Sequence, residues 1–296
     1  MNALIFGANG QDGSYLTDAC RSKDIEPVGI SRSGNWIHGD VANYEFIERC
    51  IREHRPTYVF HLAANSTTRH EALFDNHSAV STGTINILEA VYRLNPSTKV
   101  FITGSAVQFH NEGMPISEAT PFEATSPYSL SRIHSVYAAR YYRSLGVQAY
   151  VGYLFHHESP QRKPNHMSQK IILAAKRIKD GSREMLEIGD LSVEKEWNFA
   201  GDVAEAMLML VGQDGVSEAV IGSGEAHSIQ DWVELCFSQL GLEWRQHVRQ
   251  FSGFEPEFRR LVSDPRTIFS LGWKPRVGIS RLAKMMIEGP GKDDVR

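Results

Sequence analysis

The sequence predicts an α/β protein whose core is a doubly wound parallel sheet, followed by a smaller α/β lobe. Three observations predict this fold class. Short runs of apolar and β-branched residues alternate with amphipathic stretches through the first half of the chain. These runs lack polar alternation, which is typical of strands covered on both faces. A glycine-rich turn follows the first run directly, and the strand–helix–strand repetition predicts helices on both sides of the sheet.

The predicted elements follow this alternation in order. In the first half, we predict strands over 2–6, 26–31, 57–62, 98–103 and 147–152, and helices over 11–23, 43–54, 78–94 and 130–145. After about residue 155, helices are predicted over 167–180, 201–212, 228–241 and 278–288, with short strands over 185–189 and 217–222. We therefore expect a first domain over residues 1–155 and a smaller α/β domain over 156–296, parts of which fold back onto the first.

Composition excludes several classes of protein. The chain has 296 residues, of which 42% are hydrophobic, and a formal net charge of -4, a combination that disordered chains lack. Its apolar runs are far shorter than the roughly 20 residues of a membrane span, and it has no run of five like charges typical of nucleic-acid-binding tails. No secretory signal is visible, so we expect a cytoplasmic protein without a membrane or nucleic-acid partner. Cys20, Cys50 and Cys236 are odd in number and widely spaced, which predicts reduced, buried helix residues.

The turn after the first strand has the spacing Gly7-x-x-Gly10-x-x-Gly13 and leads into a helix. Glycines at this spacing let the backbone turn sharply, approach a pyrophosphate, and pack the helix closely against the strand. The helix N-terminus adds partial positive charge. We therefore predict that Gly7, Gly10 and Gly13, with Gln11 and Asp12 between them, bind the phosphates of a dinucleotide.

The end of the second strand selects the dinucleotide. An acidic residue there binds the ribose 2′-hydroxyl of NAD, whereas an arginine suits the 2′-phosphate of NADP. The sequence has Arg32 and no carboxylate at this point, so we expect NADP(H), with NAD less favoured. Asp40 and Val41 are expected beside the adenine. The turn after the third strand is expected to lie along the phosphates and the ribose, through Leu62, Ala63 and Ala64.

The glycine turn, taken with Tyr128-x-x-x-Arg132, resembles the extended short-chain dehydrogenase/reductase superfamily, which acts largely on nucleotide sugars. Five segments are similar, more specifically, to GDP-mannose 4,6-dehydratases: ALIFGANGQDGSYL at 3–16, LFHHESPQR at 154–162, IGDLSVEKEW at 188–197, SGEAHSI at 223–229 and LGWKPRV at 271–277. They occur in the family's order over nearly the whole chain. The resemblance implies a Rossmann-type NADP-binding domain over 1–155 and a GDP-sugar-binding domain over 156–296.

The segment FITGSAVQFHN at 101–111 departs from the family pattern at two catalytic positions. In the family, a threonine hydrogen-bonds the sugar 4-oxygen and a glutamate removes the C5 proton, and the matching residues here are Ala106 and Gln108. A neutral amide can orient a group but cannot act as a base at pH 7. We therefore expect Gln108 to orient the substrate and 4,6-dehydration to be absent or very slow. Ser105 is a candidate replacement hydroxyl, although strand alternation points it to the opposite side unless the strand end is bulged.

The resemblance also assigns residues to hydride transfer. The family tyrosine that takes the proton of the sugar 4-hydroxyl is Tyr128 here. The lysine that lowers the tyrosine pKa and binds the nicotinamide ribose is replaced by Arg132. Four-residue spacing on a helix brings both side chains to one face. Arginine keeps the positive charge, but its planar fork does not reproduce an ammonium, so we expect proton transfer that is weakened and not abolished.

The resemblance places the nucleotide-sugar contacts in the second half of the chain. The residues retained from the family are Glu158, Arg162 and Lys170. Two positions differ in type, since His156 stands where the family has asparagine and Lys195 where it has arginine. A further contact is expected from Arg259 or Arg260. Two diphosphate charges need compensation inside a cleft, so at least two of Lys170, Lys195, Arg259 and Arg260 are expected to serve. The adjacent His156 and His157 lack further ligands at reliable spacing, so no metal is expected.

Together these residues predict an NADP(H)-dependent oxidoreductase that moves hydride at C4 of a GDP-sugar, as a 4-keto reductase or an epimerase does. Two alternatives stay open. One is a catalytically silent binding protein that partners an active dehydratase. The other is a dehydratase with a substitute base, for which His110 and Glu112 are candidates. The family also pairs two helices, here near 78–94 and 130–145, into a four-helix bundle, which implies a homodimer.

Overall fold

The computed structural model describes residues 1–251 and 253–289. Its strands are β1 (Asn2–Phe6), β2 (Glu26–Ser31), β3 (Ile37–His38), β4 (Tyr58–His61), β5 (Lys99–Ser105), β6 (Gln148–Leu154), β7 (His157–Glu158), β8 (Leu186–Ile188), β9 (Glu194–Glu196), β10 (Asn198–Phe199), β11 (Glu218–Ile221), β12 (Ala226–Ser228), β13 (Val248–Gln250) and β14 (Arg260–Leu261). Seven of them form one sheet in the order β11-β6-β5-β4-β1-β2-β3, and every pairing in that sheet is parallel. The strand order reverses between β1 and β4, which is where ligands bind in open α/β sheets.

The helices connect these strands. They are α1 (Gln11–Arg21), α2 (Tyr44–His54), α3 (Leu73–Asn76), α4 (Gly83–Leu94), α5 (Pro127–Ser144), α6 (Met167–Lys179), α7 (Ala200–Val211), α8 (Ile229–Ser238), α9 (Arg266–Ser270) and α10 (Ile279–Glu288). A π-helical turn, His77–Thr82, joins α3 to α4, and a 3-10 turn, Ala106–Gln108, follows β5. The predicted doubly wound parallel sheet is therefore confirmed.

Local sequence signals explain where the helices begin. Asn43 caps α2 by accepting a hydrogen bond from the Phe46 N–H, as asparagine commonly does at this position. Ser126 caps α5 and Pro127 occupies its first turn, so this helix begins three residues before the predicted start at residue 130. The predicted helix over 78–94 also begins earlier, because the π-helical turn continues it back to Leu73.

Two hydrophobic layers cover the main sheet. Residues of α2, α4 and α5 bury one face, as Ile47, Ile87 and Val136 do. Residues of α1 and α7 bury the other face, as Leu16 and Val203 do. We call the sheet with these helices the first lobe. Helix α7 and strand β11 belong to it although both follow residue 155 in the chain. The domain boundary at residue 155 stays a prediction.

A third hydrophobic cluster forms the second lobe, in which α6, α8 and α10 pack around the fully buried Trp232. The small sheets β12-β9-β14 and β13-β8 complete this lobe. Cys20, Cys50 and Cys236 are free, buried and helical, as predicted. Among residues 1–251 and 253–289, no helix has the length and apolar character needed to cross a membrane.

Candidate active site

The glycine turn brings three backbone segments into close contact. Gly7, directly after β1, has φ of 97°, a left-handed conformation that favours glycine. A Cβ atom on Gly7 would lie 2.7 Å from the backbone nitrogen of Ala63, and one on Gly13 would lie 2.4 Å from the carbonyl oxygen of Gly7. Gly10 is the N-cap of α1. The turn therefore depends on the absent side chains of Gly7 and Gly13.

A pocket of about 220 Å³ opens at this turn, at the carboxyl ends of β1, β2 and β4. Its lining includes eight residues that the sequence predicted as cofactor ligands: Gly7, Gly10, Arg32, Asp40, Val41, Leu62, Ala63 and Ala64. It also includes residues that the sequence did not single out, among them Asn9, Ser31, Ser33, Gly39, Ala79 and Lys163. The Asn9 amide donates to the Ser33 hydroxyl at 3.0 Å and ties the turn to the end of β2.

The side chains of Gln11 and Asp12 contact the segment after β6, and their contact with the cofactor stays a prediction. Neither side chain belongs to the pocket lining. The Asp12 carboxylate pairs with His157 Nε2 at 2.9 Å, and the side-chain oxygen of Gln11 accepts a hydrogen bond from the Ser159 hydroxyl at 2.8 Å. These side chains attach the start of α1 to the segment after β6, so any contact of the two residues with phosphate is made by backbone N–H groups.

The segment after β5 is a helical turn and not an extended strand, which corrects the alternation argument for Ser105. Strand β5 ends at Ser105, whose hydroxyl accepts from the backbone N–H of Gln108. In return, the Gln108 side-chain oxygen accepts from the Ser105 N–H at 2.7 Å. Gln108 is fully buried, and Ala106 is 3% exposed within the hydrophobic core. Gln108 and Ser105 thus cap this turn, and an orienting contact of Gln108 with the substrate stays a prediction.

Tyr128 and Arg132 lie on one face of α5. Tyr128 is half-buried, and the Arg132 guanidinium carbon lies 5.0 Å from the centroid of its ring, a cation–π contact. Arg132 is only 2% exposed and donates from Nη1 to the carbonyl oxygen of Thr103 in β5 at 2.6 Å. The expected ribose contact of Arg132 is therefore not supported, because its long planar side chain reaches the strand beneath the tyrosine.

His61, at the end of β4, is a buried titratable residue that sequence reasoning missed. It is fully buried, and the Thr103 hydroxyl donates to its carbonyl oxygen at 2.7 Å. Burial lowers the pKa of His61 to about 3, and the positive charge of Arg132 acts in the same direction. The imidazole is therefore neutral at pH 7 and sits beside the buried guanidinium.

Four predicted substrate residues form a charged cluster around Glu158, which is 1% exposed. Its carboxylate lies 2.9 Å from His156 Nε2 and 2.6 Å from Arg162 Nε. The Lys195 ammonium lies 3.0 Å from the same His156 nitrogen and 4.7 Å from the Trp197 ring centroid. His156, Glu158, Arg162 and Lys195 thus form one connected network that we call the Glu158 cluster.

Mutual interactions set the charges of the Glu158 cluster. Burial alone would raise the pKa of Glu158, but Arg162 and His156 outweigh it and hold the pKa far below its usual range. Burial lowers the pKa of Lys195 to about 8, and burial with the Lys195 charge lowers that of His156 to about 4. At pH 7 the cluster therefore contains two cations, one carboxylate and a neutral histidine, a net charge favourable to an anion.

The remaining predicted substrate cations lie elsewhere. Lys170 is exposed on α6. Arg259 is 76% exposed and pairs with Asp190 at 2.9 Å. Arg260 pairs with Glu194 at 3.0 Å and donates to the carbonyl oxygen of Gly113. Of these four cations, Lys195 lies in the Glu158 cluster and the other three lie outside it, and the expectation that at least two of the four serve the diphosphate stays a prediction.

The comparisons with known proteins agree with this geometry. The family model described as GDP-mannose 4,6 dehydratase matches residues 4–286. The GDP-mannose 4,6 dehydratase 1 of Arabidopsis thaliana is 34% identical over 319 residues, covering 97% of this chain and 88% of the plant protein. The chain belongs to the GDP-mannose 4,6-dehydratase family. The human GDP-mannose 4,6 dehydratase is 28% identical, over 96% of this chain and 90% of the human protein.

Solved structures of other enzymes share the fold of this dehydratase-family protein. UDP-glucose 4-epimerase of Thermus thermophilus, in complex with NAD, has a TM-score of 0.84 at 21% identity and covers 97% of this chain and 98% of its own. The structure of RMD from Pseudomonas aeruginosa complexed with NADPH has a TM-score of 0.84 at 20% identity, with coverage of 97% and 96%. At these identities the likeness concerns the fold.

The candidate substitute bases of a dehydratase-family enzyme are engaged with each other. His110 Nε2 lies 3.2 Å from Glu112, and His110 Nδ1 lies 2.9 Å from Glu123. The hydrogen bonds to Glu123 and Glu112 raise the pKa of His110. His110 and Glu112 are therefore paired with each other, and Glu123 binds the second ring nitrogen of His110.

Several residues of this site were not singled out from the sequence, although some of them had a clear sequence signal. Asn9 and Ser33 had one, since both flank predicted cofactor residues. Lys163 and Ala79 reach the pocket only through the folding of distant segments. Glu196, the residue after Lys195 in β9, is fully buried. Its carboxylate accepts hydrogen bonds from the backbone N–H groups of Ser223 and Ser263 at 2.6 Å each and so connects their segments to β9.

Proposed function

We propose that this protein is an NADP(H)-dependent oxidoreductase that transfers hydride at C4 of a GDP-sugar, as a 4-keto reductase or an epimerase, and that 4,6-dehydration is impaired in it. One observation carries the proposal. Eight of the residues predicted to bind the cofactor line one pocket, whereas the side chain at the family's base position, Gln108, is an amide buried in a turn with its oxygen bound to the Ser105 N–H. An amide oxygen cannot take the C5 proton at pH 7.

The residues of the pocket fit an adenine dinucleotide. A Cβ atom on Gly7 or Gly13 would occupy space that the close backbone approach requires. Arg32 lines the pocket at the end of β2, where a 2′-phosphate is expected. Gly7, Gly10 and Arg32 would hold the phosphates, and Asp40 and Val41 the adenine. When bound, NADP(H) supplies or accepts the hydride.

The chain's own residues then act on the proton. The Tyr128 hydroxyl takes or returns the proton of the sugar 4-hydroxyl. The Arg132 guanidinium lies 5.0 Å from the ring centroid and places a positive charge against the tyrosine ring. It also orients the ring, since its Nη1 is anchored to Thr103 in β5. The partner of Tyr128 is therefore Arg132, which carries the same charge as the family lysine and directs its guanidinium to Thr103.

The Glu158 cluster is the proposed contact for the substrate diphosphate. It offers the Lys195 ammonium and the Arg162 guanidinium against a single carboxylate. Arg162 is oriented by Glu158 and by the carbonyl oxygen of His157. Membership of a family named for GDP-mannose supports a GDP-sugar as the nucleotide sugar. The diphosphate is thus compensated by these two cations and not by Arg259 or Lys170.

Two assays test the proposal. Purified protein is first incubated with NADPH deuterated at C4 of the nicotinamide and with a GDP-4-keto-6-deoxy sugar, and deuterium is located by mass spectrometry and NMR. We expect deuterium at C4 of the reduced sugar. Incubation with GDP-mannose and NADP is expected to yield little 4-keto-6-deoxy product. Its rapid accumulation would overturn the claim of impaired dehydration.

A catalytically silent binding protein that partners an active dehydratase is the second candidate. One observation favours it, namely that Arg132, at the position of the family lysine, is buried and donates to the carbonyl oxygen of Thr103. In this case NADPH binds with micromolar or tighter affinity, but no 4-keto GDP-sugar changes its absorbance at 340 nm. Deuterium transfer in the first assay would exclude this candidate.

The helices α4 and α5 support a homodimer. Both helices have large apolar side chains exposed on their surface. On α5, Leu130, Tyr137 and Tyr141 are spaced so that they lie along one face of the helix, and they are 52%, 58% and 60% exposed. Ile85 and Tyr92 of α4 are 38% and 42% exposed. Contiguous exposed apolar surface commonly marks a protein interface. We propose that two copies pair these helices into a four-helix bundle.

A further inference from the structure

The cofactor pocket receives one residue from a distant part of the chain. Among the described lining residues, all but one come from residues 7–79, and the exception is Lys163. Lys163 follows β7 in the segment that leads to α6 of the second lobe. It lies in the same pocket as Gly7, Gly10 and Arg32, the residues expected to hold phosphate.

The charges of this pocket are not balanced. Arg32 and Lys163 contribute two positive charges and Asp40 one negative charge. Over residues 1–251 and 253–289, neither Arg32 nor Lys163 makes an ion pair with a carboxylate. The Asp40 carboxylate accepts the Ala42 N–H at 2.9 Å. An excess of positive charge beside a glycine turn and the N-terminus of α1 favours an anionic ligand.

The segment that carries Lys163 is anchored to the helix at the phosphate turn. His157 pairs with Asp12 at 2.9 Å, and the Ser159 hydroxyl donates to Gln11 at 2.8 Å. Arg162, the residue before Lys163, is held by Glu158 at 2.6 Å. Burial alone would raise the pKa of Asp12, but His157 and Arg162 outweigh it and keep the carboxylate charged. The backbone before Lys163 is therefore placed relative to the turn by buried contacts.

We propose that Lys163 is a cofactor ligand supplied by the segment between β7 and α6, and that its ammonium pairs with phosphate of the adenine dinucleotide. This inference rests on the proposed function, because it requires that the pocket binds NADP(H). A lysine ammonium is a compact point charge that suits phosphate oxygens without a fixed bidentate geometry. With Arg32 at the end of β2 and Lys163 in the segment that leads to α6, the bound cofactor would connect these two parts of the chain.

The test is equilibrium binding, measured independently of catalysis. Dissociation constants of NADPH, NADH and adenosine 2′,5′-bisphosphate are determined by calorimetry at several salt concentrations. The proteins compared are the wild type, Lys163→Ala, Lys163→Arg and Lys274→Ala. Lys274 is exposed and does not line the pocket, so it controls for the loss of a surface charge. Thermal melting curves check that each variant is folded.

We expect Lys163→Ala to weaken NADPH binding by about fivefold to tenfold and to reduce its dependence on salt, because one phosphate contact is lost. Lys163→Arg is expected to restore most of the affinity, and Lys274→Ala to stay within about twofold of the wild type. A loss shared by NADH supports contact with the diphosphate. A loss confined to NADPH and the bisphosphate supports contact with the 2′-phosphate.

Two results would overturn the inference, and they are distinguishable. If the wild type binds NADPH but Lys163→Ala binds all three nucleotides with unchanged affinity and salt dependence, Lys163 is not a ligand and the proposed function stands. If the wild type binds neither dinucleotide, the proposed function fails together with this inference.

Discussion

The side-chain oxygen of Gln108 lies 2.7 Å from the backbone nitrogen of Ser105, and the Ser105 hydroxyl accepts from the Gln108 N–H in return. This reciprocal cap closes the 3-10 turn that follows β5. It uses the only hydrogen-bond acceptor of the Gln108 side chain, and the Gln108 amide nitrogen is buried without a partner. Gln108, the residue at the family's base position, thus stabilises the turn, and its neutral amide cannot accept a proton as the family glutamate does.

Replacing Gln108 with glutamate should restore a base at a cost in stability. We expect Gln108→Glu to produce 4-keto-6-deoxy sugar from GDP-mannose at least tenfold faster than the wild type, a change within the usual effect of a general base. The free energy of unfolding should fall by about 1–3 kcal/mol, because a carboxylate oxygen replaces the unpartnered buried Nε2. Product formation and urea denaturation measure the two effects.

Gln108→Met is the matched control for this substitution. It fills a similar volume and introduces no base, although it loses the bond to the Ser105 N–H that a glutamate oxygen can still accept. We expect it to destabilise the turn and to form no dehydrated product. Equal inactivity of Gln108→Glu and Gln108→Met would mean that the amide is not what prevents elimination.

Removing the Tyr128 hydroxyl should abolish proton transfer but leave the cofactor pocket intact. We expect Tyr128→Phe to lower kcat for reduction of a 4-keto GDP-sugar by about 10²–10⁴-fold, the range of general acid–base contributions. Its ring can still pack on Arg132, so the Kd for NADPH should change less than about twofold. Tyr141→Phe, at an exposed position of the same helix, is the control. A Tyr128→Phe variant with undiminished kcat would remove Tyr128 from the mechanism.

The buried His61 should make the protein less stable as the pH falls. Burial and Arg132 lower its pKa from 6.5 to about 3 in the folded state. Between these values the unfolded chain holds a proton that the folded protein does not, so the free energy of unfolding decreases with decreasing pH. At pH 5 this single group contributes a slope of about 1.4 kcal/mol per pH unit. Urea denaturation between pH 7 and pH 5 measures it.

His61→Asn isolates this contribution, because it keeps a polar side chain but removes the titrating group. We expect the slope at pH 5 to be shallower than that of the wild type by about the amount of one proton. His156, whose pKa is lowered to about 4, contributes in the same direction, so some slope remains in the variant. Parallel curves for the wild type and His61→Asn would contradict the prediction.

A charge in the apolar stripe of α5 should dissociate the proposed dimer. Tyr137 is 58% exposed near the middle of the helix, and a glutamate there would be buried unpaired in the interface, which is costly. We expect Tyr137→Glu to be monomeric at micromolar concentration by light scattering, whereas the wild type is dimeric. Met114→Glu, at another exposed apolar side chain, should remain dimeric. A wild-type monomer would refute the four-helix bundle.

Much of the fold could be predicted from the sequence because its signals are local. The strands over 2–6 and 26–31 were predicted with the bounds that the structure has. The predicted start of the fourth helix, residue 130, is three residues late, because Ser126 caps the helix and Pro127 already occupies its first turn. The pocket residues around Gly7 and Arg32 could be predicted because parallel strands bring their carboxyl ends to one edge.

The partners of the site's side chains could not be predicted in this way. Asp12 and His157 are 145 positions apart and yet share a partly buried ion pair, so the side chain of a residue expected near phosphate joins the start of α1 to the segment after β6. Arg132 was expected at a ribose, but its reach to Thr103 in β5 depends on how closely α5 packs on the sheet. The 3-10 turn at Gln108 replaced an extended strand, which made the alternation argument for Ser105 wrong.

The sequence by itself determined the order of strands and helices, the glycine turn and the loss of a carboxylate at position 108, because periodicity, backbone freedom and side-chain chemistry are carried by single residues and their near neighbours. Only the tertiary structure decided that Gln108 closes a turn, that Arg132 is buried, and that Lys163 enters the cofactor pocket. Such contacts are formed by segments far apart in the chain, and they follow from the packing of the whole sheet and its helices.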